Sequence, residues 1–137
     1  MMRTAFGVAL LVASFVCQAQ TPSDTVEGFL HKVATSASDQ ALDDLFAGSG
    51  FAETKPQDII TLKSQIRMAM GLYGTPIGIE KIREDDLSPS LKRIVYIQKF
   101  ERYPVAWEFY FYKPKDKWMI NTLNFRDQIA LILGAKE

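Results

Sequence analysis

The feature that most constrains this chain is a change of hydrophobic period at Gly74-Thr75-Pro76. Before it, apolar residues recur at helical spacing; after it, they alternate as in strands. Thr21-Pro22-Ser23-Asp24 predicts a helix start, with a capping threonine, a proline at the first helical position and an acid three residues after the cap. Val26, Phe29, Leu30, Val33, Ala34 and Ala37 then form one apolar face. Ala41, Leu42, Leu45 and Phe46 mark a second, shorter helix stopped by Gly48-Ser49-Gly50. A third starts near Pro56, with the stripe Ile59, Leu62, Ile66, Ala69, Met70 and Tyr73, and ends at Gly74.

Beyond Pro76, four alternating segments follow: Ile77 to Leu87, with room for a bulge at Lys81-Ile82, Leu91 to Glu101, Val105 to Lys113, and Trp118 to Arg126. The turns Ser88-Pro89-Ser90, Arg102-Tyr103-Pro104 and Pro114-Lys115-Asp116-Lys117 are too short for parallel crossovers, so neighbouring strands run antiparallel. Asp127 to Gly134 reads as a short closing helix or a last edge segment. The expected fold is α+β, three N-terminal helices packed on one side of a strongly bent antiparallel sheet of about four strands.

Strand parity assigns the faces. One face takes Ile94, Tyr96, Gln98, Phe100, Val105, Trp107, Phe109, Phe111, Trp118, Ile120, Thr122 and Asn124. It is the more aromatic and is assigned to the helices. The opposite face takes Arg93, Val95, Ile97, Glu108, Tyr110, Tyr112, Met119, Asn121, Leu123 and Phe125. Val95, Ile97, Tyr110, Tyr112, Leu123 and Phe125 make it unusually apolar for a solvated sheet face, which points to an interaction surface. Sheet-to-sheet homodimerisation there is one expectation; the other is that Ile129 to Leu133 folds back over it. A one-residue slip in any strand would exchange its faces.

Residues 1–19 read as a cleaved secretory signal: a basic start at Arg3, an apolar run from Ala5 to Val16, and the small-residue exit Cys17-Gln18-Ala19. That run is shorter than the roughly 20 residues a membrane span requires. Residues 20–137 then form a single exported domain, periplasmic or secreted, with no later stretch apolar enough to span a membrane. The chain's one cysteine, Cys17, falls within the signal, so the domain has no thiol for a disulfide, a nucleophile or a metal. Sixteen basic residues balance 16 acidic ones, and Arg3 is the only charge before residue 20. A near-neutral domain argues against nucleic acid as a partner.

The element order, with Tyr73-Gly74, Leu91-Lys92-Arg93-Ile94-Val95-Tyr96, the run Pro104 to Lys113 and Trp118 through Phe125, resembles the nuclear transport factor 2-like superfamily, a cystatin-like α+β cone, and within it the small exported bacterial members. The resemblance implies a cone between helices and sheet, where the superfamily's enzymes place acids, tyrosines or histidines. Because the superfold hosts isomerases, dehydratases, limonene epoxide hydrolases, transport adaptors and binding modules, it implies no particular reaction.

Inside such a cone, Tyr96, Gln98, Trp107, Thr122 and Asn124, faced by Tyr73, offer hydrogen-bonding groups on an apolar wall, as in small-molecule sites. The competing reading is a packed core whose polar groups satisfy one another. The single histidine, His31, lies off the apolar face of its helix and reads as solvated. Asp43-Asp44 and Glu84-Asp85-Asp86 read as solvated charge, and Glu108 as a cross-strand partner of Arg93 or Lys99. No catalytic set, metal site or cofactor motif emerges. The residues favour an exported binding domain holding a small apolar or amphipathic ligand. One alternative is a cofactor-free isomerase, dehydratase or hydrolase using a tyrosine and a carboxylate. Another is a cell-envelope assembly factor working through the outer sheet face.

Overall fold

A computed structural model describes residues 20–134, and the signal-like segment lies outside them. The order is α1 (Pro22–Ala34), α2 (Ser38–Phe46), α3 (Phe51–Thr54), α4 (Pro56–Tyr73), β1 (Pro76–Ser88), β2 (Leu91–Phe100), β3 (Pro104–Tyr112), β4 (Met119–Arg126) and α5 (Ala130–Leu133). The protein is α+β, with five helices and one antiparallel sheet of four strands among the described residues. The expected set of three N-terminal helices is incomplete: it lacks the one-turn helix α3, and α5, the closing helix that is one reading of residues 127–134, follows the sheet, so the helices are not all N-terminal.

Local chemistry accounts for the boundaries. At α1, the Asp24 amide donates to Thr21 Oγ1 (3.1 Å) and the Thr21 amide to Asp24 Oδ2 (3.3 Å), so two groups that would lack helical partners satisfy each other. Helix α4 stops at Gly74, whose φ of 85° and ψ of −159° suit glycine alone. The Glu101 amide then donates to the Thr75 carbonyl (2.9 Å) and the Arg102 amide to that of Tyr73 (3.1 Å), fixing the helix-to-sheet junction against the β2–β3 turn.

The sheet order is β1-β2-β3-β4, so β1 and β4 are its edges. The β1 register shifts between Lys81 and Arg83, leaving Ile82 as the extra residue of a bulge. A second irregularity has the larger consequence. Phe111 pairs with Ile120 and Tyr110 with Thr122, so Asn121 is unpaired and the rest of β4 changes face.

The face assignment for the end of β4 therefore requires correction. Leu123 and Phe125 lie opposite Phe109 and Trp107 and pack into the helix-side core. Thr122 and Asn124 lie opposite Tyr110 and Glu108 on the other side.

The main core joins α1 (Val26, Phe29, Leu30, Val33), α2 (Ala41, Leu42, Leu45, Phe46) and α4 (Ile59, Ile66) to the inward residues of the sheet. Trp107 sits at its centre, edge-on to Phe29 (5.3 Å between ring centroids) and stacked on Phe125 (5.1 Å). On the opposite face a second, smaller cluster joins Val95 and Ala106 to Ile132 of α5, with Ile97, Ile129 and Leu133 around it. The carboxy-terminal segment thus folds back over the sheet. With Leu123 and Phe125 on the inner side and Val95 under α5, part of the apolar face that suggested a homodimer is covered, while Tyr112 stays exposed.

Candidate functional site

Tyr96, Gln98 and Trp107 all lie on the helix side, fully buried. Their polar atoms are engaged within the fold. The Trp107 indole donates to Gln98 Oε1 (3.1 Å), Gln98 Nε2 donates to the Leu30 carbonyl (3.2 Å), and the Tyr96 hydroxyl donates to Glu27 Oε1 (2.7 Å). The network links sheet to α1, as buried polar groups demand. Tyr73 packs on Phe100 and Tyr103 and donates to Asp127 Oδ2 (3.3 Å). Burial pushes both phenols up, with Asp127 adding to the effect at Tyr73 and Glu27 at Tyr96, so each holds its proton beside a carboxylate.

Asn124 belongs to a different network. Arg93 Nη2 lies 2.7 Å from Glu108 Oε2, and Asn124 Nδ2 donates to Glu108 Oε1 (3.1 Å). Arg93 Nη2 also donates to the Ile132 carbonyl (3.1 Å), satisfying a free carbonyl near the end of α5. Glu108 is thus paired with Arg93, and Tyr110 stands beside it with its hydroxyl 3.5 Å from Oε2. Val95 is buried and Ile97 half-buried under α5, whereas Tyr112 is exposed.

Among several surface clefts, one of about 380 Å³ opens where α3 and the start of α4 face the β4 bulge, while Gln98 borders a smaller one of about 220 Å³ between α1 and β1. Phe46, Phe51, Ile59, Leu62 and Leu123 give the larger cleft an apolar floor; Thr61, Gln65, Asn121 and Thr122 supply hydrogen-bonding groups, and Lys55 and Asp58 supply charge. The bulge creates the polar wall. By taking Asn121 out of the ladder it sets Asn121 and Thr122 side by side at the sheet edge, with the Thr122 hydroxyl donating to Asn121 Oδ1 (2.9 Å). Phe51 is brought in by α3, its ring 5.0 Å from that of Phe46, with the Lys55 ammonium 5.4 Å from its centroid. Of the residues that sequence reasoning proposed for a pocket, only Thr122 lines this cleft.

No family model, curated protein or solved structure matches this chain. Sequence reasoning missed Phe51, Lys55, Asp58, Gln65 and Asn121. A signal for Asn121 was present: in Ile120-Asn121-Thr122-Leu123-Asn124-Phe125 two adjacent polar residues break the alternation, which marks a bulge. For Lys55 and Asp58 no local pattern exists, since only the packing of α4 brings them to the cleft.

Several other charges form ion pairs on the surface. Asp43 pairs with Lys63 (2.6 Å) and Asp44 with Lys32, while Glu84 bridges Lys81 (2.9 Å) and Lys92 (3.1 Å). Those lysines hold the Glu84 carboxyl below its usual range. His31 is solvent-exposed. Among the described residues no group of three or more His, Cys, Asp or Glu could hold a metal, and no helix is long and apolar enough to cross a membrane.

Proposed function

We propose that this is an exported binding domain of the nuclear transport factor 2-like kind, holding a small amphipathic molecule between its helices and its sheet. The cleft at the β4 bulge carries the reading, because it combines an apolar floor with several polar groups converging on it. Its volume of about 380 Å³ falls at the lower end of the range for small-molecule sites. Export rests on the signal-like pattern of residues 1–19. The superfamily resemblance rests on element order and on a helix-covered antiparallel sheet.

Binding is favoured over catalysis by the state of the tyrosine–carboxylate pairs. Tyr96 and Tyr73 keep their protons, donate hydrogen bonds to the Glu27 and Asp127 carboxylates, and do not line the cleft. The test is titration of the protein with anilinonaphthalenesulfonate, an amphipathic fluorescent probe, beside the variant Gln65→Trp. Gln65 is exposed on α4 and lines the cleft, so an indole there fills the space without disturbing the core. Saturable binding weakened about tenfold or more by Gln65→Trp is expected, the loss of roughly one buried ring contact. Absence of binding, or binding indifferent to the substitution, would reject the cleft as a ligand site.

A further inference from the structure

The cleft carries one charge of each sign at its mouth, and neither is neutralised by an opposite charge: the Lys55 ammonium lies only over the Phe51 ring, 5.4 Å from its centroid. Lys55 and Asp58 stand three residues apart where α4 begins, and among the described residues they make no ion pair with each other or with any other residue. The adjoining surface behaves differently. There Lys63 pairs with Asp43 at 2.6 Å, Arg67 with Asp39 at 2.7 Å, and Lys32 with Asp44. Charges along the α1, α2 and α4 seams are thus matched, and the two at the cleft are not.

The backbone adds to the asymmetry. The 18-residue helix α4 has no side-chain cap, and Pro56 stands at its first position. The amides of Gln57 and Asp58 therefore have no helical acceptor, and Lys55, at the N-cap position, stands at the positive end of the helix dipole. A carboxylate placed there meets a cation and free N–H donors together. Asp58 offers the complementary position for an ammonium. Thr61, Gln65, Asn121 and Thr122 supply neutral donors and acceptors of the kind that satisfy an amide.

We infer that the occupant is a zwitterion with an apolar body, an apolar amino acid or dipeptide. Its carboxylate pairs with Lys55, its ammonium with Asp58, and its side chains lie on Phe46, Phe51, Ile59, Leu62 and Leu123. The inference rests on the cleft being a ligand site. It follows from the balance of the lining: a bare anion is opposed by Asp58, a bare cation by Lys55, and a neutral apolar molecule uses neither.

Calorimetric titration of the full protein with leucyl-phenylalanine, its N-acetyl form, its amide and the doubly blocked form tests this, with backbone NMR shifts locating each at the cleft. The free dipeptide is expected to bind tightest, by roughly three- to tenfold over either singly blocked form, as for partly exposed charge-assisted contacts. Lys55→Gln should erase the difference between the dipeptide and its amide. Asp58→Asn should erase the difference between the dipeptide and its N-acetyl form. Both side chains are exposed, so both variants should fold. If the doubly blocked form binds the cleft as well as the free dipeptide, charge recognition is overturned while the cleft stands as a ligand site. If no form binds, the inference falls, and the anilinonaphthalenesulfonate titration decides separately whether the cleft itself binds ligands.

Discussion

On the helix side of the sheet, Ile94, Trp107 and Phe109 lose all contact with water, and on the opposite side Val95 and Ala106 are just as fully enclosed. What encloses them differs. The first set lies under the apolar faces of α1, α2 and α4, interlocked by edge-on and stacked rings and by the Trp107–Gln98–Leu30 hydrogen bonds. The second lies under four residues of α5, held by Ile132 and by the reach of Arg93 to the Ile132 carbonyl. Equal burial therefore conceals unequal cooperativity. Removing any one helix-side contact disturbs many neighbours, whereas the strap over the far side can open locally while the rest stays folded.

The sharpest way to break that comparison is at its centre. Trp107→Ala is expected to cost about 3–5 kcal/mol in urea unfolding, since it leaves a large cavity and strands the Gln98 amide. A cost near that of a surface substitution would mean the aromatic centre is not shared across the core. Next comes the pair that ties the strap down. Arg93 and Glu108 side chains are 15% and 12% exposed, so truncating either to alanine leaves the other poorly solvated and should cost about 1–3 kcal/mol. A double-mutant cycle should then show strong coupling, and additive effects would reject the network as a unit. Ile132→Ala should cost less, about 1–2 kcal/mol, because the α5 cluster is shallow. It should raise hydrogen exchange in β2 and β3 beneath α5 without raising it beneath α1. Light scattering of this variant also shows whether uncovering Val95 and Ala106 allows two copies to associate.

The smallest expected effect is a pH dependence on the helix side. Burial raises the Tyr96 phenol above its ordinary value, so the folded protein keeps a proton that the unfolded chain releases near pH 10. Stability from this group is complete below that pH and is lost as pH rises through the higher, folded value. Tyr96→Phe should flatten the alkaline side of the stability profile and leave the neutral region within about 1 kcal/mol. An unchanged alkaline slope would assign the loss to another group, with Tyr73 the next candidate.

How much could be read in advance varies along the chain. The caps at Thr21 and Gly74, the three longer helices, the four strands and the bulge near Ile82 were legible because each follows from neighbours within a few residues. A cross-strand partner for Glu108 on β2 was legible as Arg93 or Lys99 because short turns fix which strands are neighbours; the register, with Glu108 opposite Val95 and Arg93 on the diagonal, selects Arg93. The ends of β4 and the cleft were not. Parity placed Thr122 and Asn124 with Trp107, yet the extra residue Asn121 moved them to the other face and put Leu123 and Phe125 in their place. The group Tyr96, Gln98 and Trp107 was found as a cluster, but whether it surrounds space or fills it depends on how closely α1 approaches.

The sequence by itself determined the three longer helices, the four strands, their order, their antiparallel pairing and the near-neutral charge, since local periodicity, turn length and composition set these. Tertiary structure alone decided that α5 covers the far face, that the buried polar residues satisfy one another, and that Lys55 and Asp58 meet Asn121 and Thr122 around one cleft. Those outcomes depend on contacts between residues distant in the chain, and a single unpaired residue in β4 is enough to reverse which side of a strand takes part in them.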